Sequence, residues 1–151
     1  MDGVRMAEAM REGRREALVP EGFVPRPVSG GFLRAAGPLW TRPGEDGSRF
    51  GLLVQEQHCN GMDMCHGGML ATLADVVLGI GGLERAGLSG FFTTISLNND
   101  FLAPVPLGAW VEARVELLKL TRTMMFVQGV FTVAGKPVLR SSGVFRLPRQ
   151  V

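Results

Sequence analysis

The chain has 151 residues, 46% of them hydrophobic and 20% charged; this suits one domain with a real core and is too apolar for a disordered chain. A net charge of +2 leaves no electrostatic footprint for nucleic acid. Cys59 and Cys65 are too few for a disulfide scaffold, and residues 1–18 carry charges throughout without the apolar run of a secretory signal, so a reducing cytoplasm is the expected compartment.

Taken in order, residues 3–18 read as a short polar helix. Pro20, Pro25, Pro27 and Gly30-Gly31 make an irregular lead-in. The expected organisation is an N-terminal helix and lead-in over 1–30, then one folded domain over 31–148. Phe32–Trp40 reads as a first strand, Pro43-Gly44-Glu45-Asp46-Gly47 as a turn, and Arg49–Gln57 as the returning strand of a hairpin.

From Gly67 to about Arg85, Met69, Leu70, Leu73, Val76, Val77, Ile80 and Leu83 follow the spacing of one apolar helix face. Gly68, Thr72, Asp75 and Gly79 share a second face, and Gly87 is a natural stop. With Asp75 and five glycines inside Met64–Leu83, a buried helix is a better reading than a membrane span.

The rest alternates like sheet. In Thr94–Phe101, Ile95, Leu97 and Phe101 point one way, with Asn99 the polar exception, and Thr94, Ser96, Asn98 and Asp100 the other. Val111–Leu117, Met124–Val133 and Val138–Leu147 follow, joined by short turns, which implies an antiparallel meander. A long apolar helix followed by strands predicts an α+β fold: a curved antiparallel sheet wrapped around a central helix, with a sheet face or edge left for a partner subunit.

The chemistry concentrates in residues 58–75, HCNGMDMCHGGMLATLAD. His66-Gly67-Gly68 delivers the chain into a helix N-terminus, where unpaired N–H groups and the helix dipole suit a developing oxyanion. The same dipeptide also serves as a plain tight turn. Asp75 is the only charged side chain between Asp63 and Glu84. A carboxylate among apolar residues is costly unless it is bonded or has a function. Two helical turns separate it from Gly67, too far for both to touch one carbonyl within a monomer, and a dimer relieves this.

His58, Asn60, His66-Gly67-Gly68 and Asp75, nine residues after His66, resemble the signature of the PaaI-like hot-dog-fold acyl-CoA thioesterases. The likeness runs over roughly residues 48–147. It implies that residues 31–148 form a hot-dog thioesterase domain that hydrolyses acyl-CoA to free acid and CoA. Asp75 would be the general base or the nucleophile, and the Gly67 N–H the oxyanion donor. Asn60 would position water or carbonyl, and His66 would shape the turn. The family's Ser or Thr on the next strand falls on Thr94, with Thr93 the near alternative. The resemblance further implies substrate contacts by Gly68. Arg114, Lys119 and Arg122 read most simply as a solvated face; in a CoA enzyme, Arg122 is the candidate to meet the nucleotide phosphates. Sites in this family lie between subunits of dimers or of dimers of dimers. No cofactor is implied beyond the CoA of the substrate. Met69, Phe91 and Phe92 are candidates for the acyl pocket.

Competing readings carry less. His58, Cys59, Cys65 and His66 lack a usual zinc spacing, and adjacent residues on a strand point opposite ways, so no metal is expected. A Cys-His nucleophile pair has no third member. Neither GxGxxG nor a P-loop is present in the needed context. A hydratase or dehydratase of the same fold would carry its acid nearer the helix start, and a non-catalytic acyl-CoA binding module would need an output domain.

Overall fold

The computed structural model describes residues 4–6, 9, 13 and 18–147. Of the helix expected over 3–18, residues 4–6, 9 and 13 are helical and Leu18 already lies in a turn; the other positions lie outside the described residues. Described in chain order are β1 (Val24–Arg26), α1 (Gly31–Ala36), β2 (Leu39–Arg42), β3 (Arg49–Leu53), a 3-10 turn (Glu56–His58), α2 (Gly67–Ala86), β4 (Thr93–Phe101), β5 (Trp110–Leu120), β6 (Met124–Val133) and β7 (Lys136–Arg146). Together these strands form one antiparallel sheet in the order β1-β2-β3-β5-β6-β7-β4, with α2 packed across it. This is the expected α+β arrangement, a long helix gripped by a curved sheet.

The helix obeys its periodicity. Leu70, Leu73, Ala74, Val77, Leu78 and Leu83 are buried against Val111, Ala113, Val115, Met125, Val127, Phe131 and Phe145 of the sheet. By length and composition α2 is apolar enough to cross a membrane, yet its core-facing residues lie under the strands. It ends at Gly87 in the left-handed region (φ 66°), where Gly87 N–H donates to Glu84 O and Leu88 N–H to Leu83 O, the two bonds of a Schellman motif. Gly79 permits a close approach: a Cβ there would sit 2.1 Å from the Phe92 ring.

Four local expectations are corrected. Phe32–Trp40 is not one strand. Leu33, Arg34, Ala35 and Ala36 are good helix formers and make the short helix α1, Gly37-Pro38 ends it, and β2 begins only at Leu39. The lead-in is not wholly irregular, because β1 pairs with β2, as an edge strand containing Pro25 is able to do. The strand expected over Arg49–Gln57 stops at Leu53, and the chain then turns through Glu56–His58.

The fourth correction concerns β4. It does not join a simple meander with β5; it crosses over and pairs with β7 at the far edge of the sheet. Its alternation is also broken. Thr94 pairs with Phe145 while Ser96 pairs with Val144, so Ile95 is the extra residue of a β-bulge. Residues directly opposite one another share a face. Thr94 therefore lies on the helix-facing side with buried Phe145, and not on the face of Ser96 and Asn98. Asn99 also faces inward, and its Oδ1 accepts from buried Ser141 Oγ at 2.8 Å.

Candidate functional site

α2 begins at the His-Gly-Gly turn. His66 is its N-cap, and the imidazole Nδ1 accepts from Gly68 N–H at 2.9 Å. That bond leaves the ring proton on Nε2. His66 O takes the N–H groups of Met69 and Leu70. For the Gly67 N–H there is no acceptor among the described residues. The two glycine amides are thus distinguished: Gly68's is committed to the cap and Gly67's is available. Gly68 contributes its missing side chain instead, opening the surface of both grooves described below.

Asp75 lies eight residues along the same continuous helix, about 12 Å from Gly67 at the usual helical rise. Its Oδ1 accepts from Thr94 Oγ1 at 2.5 Å. Thr93, the near alternative, pairs with exposed Arg146 on the opposite face of β4. The structure brings Thr94 to the acid and leaves Thr93 away from it.

Asn60 is occupied differently. Its Oδ1 accepts from Met62 N–H at 2.9 Å and from Met64 N–H at 3.3 Å, closing the loop before the turn. The side-chain amide NH2 remains as its donor. Arg122 is exposed at the tip of the β5–β6 hairpin, at the end of the sheet that also carries Thr93, Met124 and Arg146.

His58, the first residue of the motif, is a structural group. It is 2% exposed, its Nδ1 accepts from Gln55 N–H at 3.0 Å, and its Nε2 donates to Ala36 O at 2.8 Å. Burial lowers its pKa below the ordinary 6.5, partly opposed by the bond to Ala36. Among the described residues no three His, Cys, Asp or Glu side chains converge.

Two grooves run along the outer face of α2. One, of about 660 Å³, holds Asp75 beside Val76, Ile80, Phe91 and Phe92, with Val28, Phe32 and Leu33 opposite. The other, of about 590 Å³, lies over His66, Met69 and Cys59. They share Phe32, Gly68 and Thr72. Of the three acyl-pocket candidates, Phe91 and Phe92 line the Asp75 groove and Met69 lies in its neighbour. Sequence reasoning missed the wall made by residues 26–33. It placed Phe32 in a strand, and no local pattern signals that the lead-in folds back across α2.

The chain is similar to known proteins in both sequence and fold. A family model described as the thioesterase superfamily matches residues 62–138. A Pseudomonas aeruginosa protein named "Putative esterase PA0474" is 35% identical over 133 residues, covering 86% of this chain and 98% of its own. The zebra fish thioesterase superfamily member 2 superposes with a TM-score of 0.71 at 24% identity, over 80% of this chain and 88% of that one. A mutant of the phenylacetic acid degradation protein PaaI from Thermus thermophilus superposes with a TM-score of 0.66 at 25% identity, over 78% and 98%. The chain belongs to the thioesterase superfamily, as a hot-dog-fold hydrolase of the PaaI-like kind.

Proposed function

We propose that the chain hydrolyses acyl-CoA thioesters, with Asp75 as general base or nucleophile and the Gly67 N–H as oxyanion donor. The observation that carries this reading is the hydrogen bond from Thr94 to Asp75, whose carboxylate lines a groove with many apolar side chains. It fixes one carboxylate oxygen and leaves the other to receive a proton from water, or to attack the thioester carbon itself. In the general-base form, water adds to the carbonyl carbon as Asp75 takes its proton. The oxyanion is held by an amide donor, and collapse expels the CoA thiolate, which regains a proton. Acyl carbons lie against Phe32, Leu33, Val76 and Ile80. Arg122 meets the nucleotide phosphates, and Asn60 donates from its free amide.

The working unit in this proposal is a dimer. Asp75 and Gly67 are too far apart along one rigid helix to share a carbonyl. β4 offers nine residues of edge with no strand partner among the described residues, and Ile95 and Phe101 on it are 55% and 54% exposed. A long edge of this kind with exposed apolar side chains on it is a template for pairing with another chain. Asp75 of one copy then works opposite the Gly67 turn of the other.

The test is thiol release over short, medium, long and aryl acyl-CoA substrates, with Asp75→Asn alongside. Wild-type turnover and its loss in the variant are expected. Inactivity on the whole panel, or full rate in Asp75→Asn, would overturn the assignment.

A further inference from the structure

We propose that Cys59 and Cys65 form a covalent modification site: a dithiol that a low-molecular-weight disulfide such as glutathione disulfide converts to an intrachain disulfide strapping the turn ahead of α2. The two residues face each other as an antiparallel bridge. The hydrogen bonds around them define its kind. Asn60 N–H donates to Met64 O at 2.8 Å and His66 N–H to His58 O at 2.8 Å, while Cys59 N–H and Cys65 N–H go elsewhere, to Glu56 O and Val105 O. This is the pattern of a non-hydrogen-bonded antiparallel pair, whose Cα atoms sit about 4.5 Å apart with both side chains on one face. That separation lies inside the window of about 4.4–6.8 Å that a disulfide needs. No backbone rearrangement is required to bring the sulfurs together.

The two thiols have complementary access. Cys59 is half-buried, so a soluble disulfide reaches it first; Cys65 is buried and faces Cys59 across the bridge. The exchange proceeds in two steps. The Cys59 thiolate attacks one sulfur of glutathione disulfide, forming a mixed disulfide and releasing one glutathione thiolate. Cys65, deprotonated, then attacks Cys59 Sγ and expels the second. Two protein thiols are oxidised and one glutathione disulfide is reduced to two glutathiones. Both thiols are pushed up, Cys65 to about 12 by burial and by Cys59 beside it, and Cys59 by burial and by Asp63 and Glu56. The reaction is therefore slow near neutrality and quickens with rising pH. The bond would close the loop that Asn60 organises and pin the residue before His66, so it touches the turn that presents Gly67. The inference does not rest on the catalytic reading above.

The experiment uses the full chain under native conditions, with buffers of increasing glutathione disulfide to glutathione ratio at pH 7 and pH 9, acid quench, alkylation and peptide mapping. Expected is a monomeric-mass chain lacking two hydrogens, with Cys59 joined to Cys65, formed faster at pH 9 and reversed by excess glutathione. Cys65→Ala, which keeps an apolar group in the core, should stop at glutathione on Cys59, and Cys59→Ser should remain unmodified. Two free thiols at every ratio would overturn the proposal, as would glutathione held on wild-type Cys59 with Cys65 still free, or a disulfide between two chains.

Discussion

Thr94 Oγ1 reaches Asp75 Oδ1 because Ile95 is bulged out of β4. Strict alternation back from Leu97 would have turned Ile95 and Thr93 toward the helix and sent Thr94 outward. One extra residue reverses this, and the hydroxyl lands on the acid. A hydrogen bond to a charged group contributes about 1.5–3 kcal/mol, so Thr94→Val is expected to lower kcat by roughly ten- to a hundredfold. Thr93→Val should leave it near wild type. Asp75→Asn should cost about 10²–10⁴. Steady-state thiol release on one good substrate checks all three, and equal losses in the two threonine variants would contradict the bulge argument.

The shared-site proposal has its own test. Gly67→Pro removes the amide of the His66-Gly67-Gly68 turn that has no acceptor among the described residues. Proline is tolerated at the first position of a helix, and the preceding His66 is already extended (φ −62°, ψ 137°), as a residue before proline prefers. The variant should fold and lose turnover. Mixed and refolded with Asp75→Asn, it should regain activity, because one site in each mixed dimer holds both native groups. Failure of two folded, inactive variants to complement would place both groups in one subunit.

Phe32 stands where the two grooves meet, on a short helix outside the matched family segment, and is 70% exposed. If the acyl group lies against it, Phe32→Ala enlarges the groove without touching Asp75. The expected outcome is a change in the ratio of kcat/KM between bulky and small acyl groups of about ten- to two-hundredfold, the range that apolar pocket contacts supply. A uniform change across the panel would remove Phe32 from the acyl site.

His58 ties the loop before α2 to the end of α1. Its folded pKa lies below the unfolded 6.5, so between the two values the unfolded chain binds more protons. Its contribution is present above pH 6.5 and is lost as pH falls through the folded value. Urea unfolding at pH 5, 6 and 7.5 should show wild-type stability falling with acid, with a shallower dependence in His58→Gln. At pH 7.5, His58→Ala should cost about 2–4 kcal/mol, since the N–H of Gln55 and the carbonyl of Ala36 each lose a partner.

The features legible in the sequence are those set by local periodicity and local chemistry. The expected helix from Gly67 to about Arg85 is observed as Gly67–Ala86, and the strand Met124–Val133 is observed with the same bounds, because an apolar stripe of fixed period has one way to be buried. Asp75 stood out as the only charged side chain between Asp63 and Glu84, on the helix face beside that stripe. Pairing between distant segments was not legible. Nothing local tells β4 to skip β5 and join β7, tells Ile95 to bulge, or tells residues 26–33 to lie across α2, since those outcomes depend on contacts far apart in the chain. The fold class, the acid and Gly67 as the candidate donor were thus in the sequence, the last through a cap that is local to the His66 turn; the threonine's reach to that acid and the wall of the groove came only from tertiary packing.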